Sequence, residues 1–148
     1  MTIMINGCQL TDETYRNLFN YIINKSDSFS YEILKNYDKL IDEYDRKYYN
    51  NVKKAEKIFD AHFKYKNKDE RSCFKSEVLL DCNEVKNFLL NKASVYHWNY
   101  PDDIENLCFY KKGYCIFESV THEDLFLLRI NDAIELEKLK EIGISIKC

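Results

Sequence analysis

Between residues 97 and 124 the chain holds its densest run of side chains able to do chemistry: His97-Trp98-Asn99-Tyr100-Pro101-Asp102-Asp103, an aromatic stretch carrying Cys108 and Cys115, then Ser119-Val120-Thr121-His122-Glu123-Asp124. Imidazole, thiolate and carboxylate make up the mixed donor set that zinc accepts. His97, His122 and Glu123, with Cys115 or Cys108, are the candidate ligands, yet no pair of them has a recognised metal-site spacing. The same residues would form a nucleophile dyad if His122 or His97 lay against Cys115 or Cys108, because a neighbouring imidazole turns a thiol into the reactive thiolate. Asp102 and Asp103 are conceivable acid/base groups. Adjacent residues seldom aim at one substrate atom, however, and both follow Pro101, where polar turn residues are expected. The reading expects no catalytic residue, no metal and no cofactor.

A second feature is electrostatic. From Arg46 to Arg71 nine basic residues face four acidic ones, a local +5 in a chain of net charge −3. Tyr48, Tyr49, Phe59, Phe63 and Tyr65 are interleaved. Cations beside stacking platforms are the footprint of nucleic-acid binding, with Arg46, Lys47, Lys53, Lys54 and Lys57 as the contacts. The competing reading makes the aromatics part of a buried stripe, leaving a solvated helix face and a loop over Lys64-Tyr65-Lys66-Asn67-Lys68. Lysines also outnumber arginines, which gives point charges in place of planar forks.

The positioning elements follow from composition and period. The 148 residues, 45% hydrophobic and 15% aromatic, suffice for one core, and no Pro/Gly/Ser-rich linker divides them, so a single domain over 1–148 is expected. Its helix-rich part spans about 11–65, its sheet and two helices about 73–148. With three glycines the chain has no G-x-x-x-x-G-K-[ST], G-x-G-x-x-G or G-x-S-x-G, which excludes the usual nucleotide-binding and hydrolase frameworks. The apolar runs are far shorter than the ~18 residues of a membrane span. Residues 1–8 lack a secretory pattern, so a cytoplasmic location with reduced cysteines is expected.

Asn6-Gly7 predicts a small hairpin over Thr2–Leu10. Thr11 reads as the cap of a helix to about Asn24 that buries Tyr15, Leu18, Phe19, Ile22 and Ile23. Apolar positions then recur with a helical period at Leu34, Tyr37, Ile41, Tyr44, Tyr48, Val52, Ala55, Phe59 and Phe63, and this stretch is expected to break at Tyr48-Tyr49-Asn50-Asn51. Alternation predicts a strand over Cys73–Leu80, and Asp81 with Glu84 reads as a capping box for a helix to about Lys92. Leu107–Tyr110 and Tyr114–Val120 form a hairpin with a three-residue loop at Lys111-Lys112-Gly113, pairing Phe109 with Cys115. Both its faces are apolar, which places it centrally in the sheet and covered on each side, with the two cysteines buried and inert. Leu125–Ile130 is a further strand, and a helix capped by Asp132 ends at Gly143. The expected class is α+β: a helical N-terminal half packed on a mainly antiparallel sheet formed by the C-terminal half.

At Trp98, Tyr100-Pro101, Asp103-Ile104, Cys108-Phe109-Tyr110, Gly113-Tyr114-Cys115, Ser119 and His122-Glu123 the chain resembles a family of small uncharacterised Firmicutes proteins, some bearing a sporulation-type name. Ile5-Asn6-Gly7, Leu10-Thr11-Asp12-Glu13 and Ser26-Asp27-Ser28-Phe29-Ser30 extend the resemblance over most of the chain. It implies no catalytic residues. Taken together, these features lead to the expectation of a non-enzymatic binding protein acting on a protein partner, such as an immunity protein or a mobile-element-encoded inhibitor. Trp98, Tyr100, Asp102, Asp103, His122 and Glu123 are its candidate contacts, since acidic charge and many tyrosines suit interface anchors. The alternatives are an enzyme centred on His122, Glu123 and Cys115, or a nucleic-acid-binding protein using 46–71. No membrane partner is expected.

Overall fold

The computed structural model describes residues 1–35 and 42–147. Seven strands form one antiparallel sheet, β1 (Thr2–Met4), β2 (Ser28–Leu34), β3 (Phe63–Glu70), β4 (Cys73–Leu79), β5 (Glu105–Lys111), β6 (Tyr114–Val120) and β7 (Leu125–Arg129), in the order β1-β7-β6-β5-β2-β4-β3. The helices are α1 (Asp12–Lys25), α2 (Glu43–Phe59), α3 (Asn83–Leu90) and α4 (Ala133–Glu141). The fold is α+β. Among the described residues, no helix is long and apolar enough to cross a membrane.

Helix α1 buries the five expected residues, Tyr15, Leu18, Phe19, Ile22 and Ile23. Phe19 meets Phe109 of β5 and Phe117 of β6 edge-on, both at 5.7 Å between ring centres. Those three rings, with Phe29 and Phe59, form the aromatic centre between helices and sheet. Its T-shaped and stacked pairs add roughly 0.5–1.5 kcal/mol each beyond the area they bury.

Several local expectations are corrected. Residues 1–10 form no hairpin: β1 pairs with β7, and the Asn6 side chain accepts from the Cys8 amide at the start of a single 3-10 turn. Ser28–Leu34 is a strand, and α2 runs unbroken through Tyr48–Asn51. Tyr37 and Ile41, read as part of that helical stripe, lie outside the described residues. The 64–68 loop is part of β3. Cys82, not Asp81, takes the cap position of α3, and neither Cys82 nor Thr11 makes a side-chain cap bond. Asp132 does cap α4, accepting from the Glu135 amide at 2.9 Å.

The β5–β6 hairpin is central, as expected, but Phe109 stands opposite Phe117 and Tyr110 opposite Cys115, with a bulge between. Lys111 pairs with Tyr114, so the loop has two residues, Lys112 and Gly113, both at positive φ (49° and 81°). That is the backbone a two-residue hairpin turn demands, and glycine adopts it without strain. The second face is not closed over. Cys108, Tyr110 and Ile116 are half-buried, and Tyr114 is 73% exposed.

Candidate functional site

One end of the sheet holds a cavity of about 450 Å³ lined by Glu32, Leu34, Ser72, Cys73, Asn99, Tyr100, Glu105, Asn106 and His122. Strand pairing assembles it. Glu32, near the end of β2, lies opposite Glu105, the first residue of β5. Between this pair and Ser30–Cys108 the register shifts, and Asn106 takes a left-handed conformation (φ 51°). A bulge of this kind re-aims the side chains around it, and Asn tolerates the conformation better than most residues. The Asn106 amide donates to Glu32 Oε2 at 2.8 Å, while its own Oδ1 is buried without a donor among the described residues.

Glu105 is the buried member of the pair. Tyr48 of α2 donates its hydroxyl to Oε2 at 3.0 Å, and the Tyr100 amide donates to Oε1 at 3.1 Å. Burial pushes the carboxyl above its ordinary value, those two donors pull it back in part, and the Glu32 charge raises it further. Two like charges facing each other across strands destabilise the ladder, and Lys75 of β4, opposite Glu32 on its other side, offsets part of that cost. Among the described residues, neither lysine nor arginine lines the cavity. The Cys73 thiol is likewise raised by burial and by the nearby Glu32 and Glu70.

Tyr100 forms the wall toward α2. Its ring meets Tyr48 edge-on at 5.0 Å, and its hydroxyl donates to Asp45 Oδ1 at 2.5 Å, which pushes the phenol up to about 12. Asp102, outside the cavity lining, pairs with Lys47 at 2.8 Å, and the Asn51 side chain donates to the Asp102 carbonyl. Asp103 points inward, its side chain 5% exposed, against Lys92 at 2.5 Å. Burial raises its pKa, and the hydrogen bond from Lys92 opposes that shift.

Of the residues singled out by type and spacing, Tyr100 and His122 line this cavity; His122 is largely exposed at its mouth. Glu123 is also exposed, 3.8 Å from the His122 ring. Trp98 is fully buried: its Nε1–H donates to the Tyr15 hydroxyl at 2.8 Å, so as a partner contact it is corrected to a core anchor. His97 is exposed. Cys115 lies on β6, and interaction with Cys108 holds the Cys115 thiol below its ordinary value and Cys108 above it. His97, His122, Glu123 and Cys115 are not gathered into a ligand set; among the described residues the single such cluster is elsewhere. In the basic segment, Arg46, Lys47, Lys53, Lys54 and Lys57 are exposed, but Tyr48 and Phe59 are fully buried and offer no stacking surface. Glu32, Glu105 and Asn106 carried no motif; the period-two alternation of Ser28, Ser30 and Glu32 against Phe29, Tyr31 and Ile33 was the signal available for the first of them. Compared with protein-family models, curated proteins and solved structures, the chain matches none.

Proposed function

We propose that this chain is a protein-binding protein, of the kind that includes immunity proteins and inhibitors, and that it takes a cationic side chain of its partner into the Glu32–Glu105 cavity. The carrying observation is that pair: two carboxylates opposed in register, lining one cavity that, among the described residues, no lysine or arginine lines. A guanidinium fits what they lack. It brings five N–H donors in a planar fork, suits bidentate carboxylate contacts and stacks on a ring such as Tyr100. A cation also relieves the repulsion between the two carboxylates. The chain's net charge of −3 favours encounter with a basic partner.

N-acetyl-arginine amide tests the reading against its lysine counterpart. The expected result is that the arginine compound shifts the NMR signals of Glu32, Tyr100 and Asn106 at lower concentration than the lysine compound, and that Glu32→Gln removes the response. Equal response to both compounds, or a response unchanged in Glu32→Gln, would sink it.

A further inference from the structure

The β3–β4 hairpin gathers three donors outside the 97–124 region. Phe63 stands opposite Val78 in the ladder, so His62, one residue before β3, projects beside the segment that follows β4. That segment carries Asp81 and Cys82. Among the described residues these three form the one group of His, Cys, Asp and Glu side chains whose ligand atoms all lie within 4.8 Å of one another. Cys82 Sγ is 3.4 Å from His62 Nε2, and Asp81 Oδ1 is 2.6 Å from His62 Nδ1.

A cysteine, a histidine and an aspartate invite two readings, and the geometry separates them. In a proton relay the sulfur and the carboxylate sit at opposite edges of the imidazole, each in line with its nitrogen. The ring plus two hydrogen bonds then sets them about 8 Å apart. Here they are within 4.8 Å. The Nδ1 atom tells the same story: it is sealed from solvent and close to Oδ1, yet makes no hydrogen bond of acceptable angle. The three donors cluster instead of forming a line. Tetrahedral zinc, with Zn–S of about 2.3 Å and Zn–N of about 2.0 Å, sets its sulfur and nitrogen ligands roughly 3.5 Å apart, close to the Sγ–Nε2 separation.

We propose that His62, Asp81 and Cys82 form a site for a zinc-class divalent transition-metal ion. A thiolate and an imidazole in the set favour such an ion over magnesium or calcium, which take oxygen. Three protein ligands leave a fourth position for water or an exogenous donor, and the side of the site bearing Asp81, 53% exposed, opens to solvent. The β3–β4 ladder holds His62 just before one arm of the hairpin and Asp81 and Cys82 just past the other. Cys82 makes no cap bond to its own helix, so its sulfur is committed to His62.

Titration of the chelator-treated full chain with cobalt(II), then zinc, tests the site. One equivalent of cobalt is expected to give a sulfur-to-metal charge-transfer band and the intense visible bands of tetrahedral cobalt, both displaced by zinc. Cys82→Ala removes the charge-transfer band, His62→Ala and Asp81→Asn weaken binding at least tenfold, and His122→Ala leaves it unchanged. Absence of the bands in the wild type, or their persistence in Cys82→Ala, which would assign them to the other thiols, overturns the proposal. Cys82 packs partly on the core. If circular dichroism shows Cys82→Ala unfolded, Asp81→Asn and His62→Gln decide: a tenfold loss in both supports the site, and unchanged affinity in either removes it.

Discussion

Glu105 shows how much one side chain can owe to residues distant in sequence. It sits in an ordinary Ile104-Glu105-Asn106-Leu107 string, and its environment comes from Tyr48, 57 residues away, and from Glu32 across the ladder. No spacing rule reaches such partners, which is why His122, with its evident chemistry, was legible as a site residue and Glu105 was not. Because burial raises its folded-state pKa, the native protein holds this proton more tightly than the unfolded chain. The associated stability is present below the ordinary Glu value of about 4.3 and is lost as pH rises through the raised one. Asp103 contributes with the same sign, so the difference between wild type and Glu105→Gln isolates the effect. Thermal melts from pH 4 to 7 are expected to show the wild type losing stability relative to Glu105→Gln as pH rises. A constant gap between the two curves would mean that Glu105 titrates normally.

At the scale of elements, a short chain of hydrogen bonds fixes how the helices meet. Trp98 donates to the Tyr15 hydroxyl of α1, which donates in turn to the Leu89 carbonyl of α3 at 2.6 Å. All three residues are fully buried. Tyr15→Phe keeps the ring and its 4.3 Å stack on Phe19 but leaves the indole N–H without its acceptor. A buried polar group so stranded costs about 1–3 kcal/mol, and urea denaturation should show that loss with an unchanged m-value. An unchanged midpoint would show that the hydroxyl does not matter. The stripe of α1 is readable because each of its five buried positions answers one period, whereas most of β2 falls at the start of the stretch read as helical, of which Glu43–Phe59 is α2. Leu34 continues into Tyr37 and Ile41 at helical spacing in the sequence, and that spacing outweighs the six alternating residues before it, Ser28–Ile33. At β3 the lysines that made 64–68 look like a loop are the exposed positions of an edge strand.

That edge governs how whole molecules meet. A seven-stranded sheet has two edges, each a row of unpaired backbone groups able to recruit another chain. At one edge β1 is only three residues long. At the other, β3 runs for eight residues, long enough to template a second copy, and two devices discourage it. Its register with β4 shifts twice, between Phe63 and Tyr65 and between Tyr65 and Lys68, and Lys64, Lys66 and Lys68 stand exposed along it. Two copies joined at this edge would bring those lysines together and desolvate part of their charge. Replacing the outer two with threonine and the middle one with valine raises strand propensity and removes the repulsion. The triple variant K64T/K66V/K68T should keep the native circular dichroism spectrum while forming concentration-dependent dimers and larger species by light scattering, and should do so already at salt concentrations where the lysine repulsion keeps the wild type apart. A variant that stays monomeric at every concentration would assign the protection to the two register shifts alone, because irregular backbone at an edge blocks pairing whatever side chains it carries.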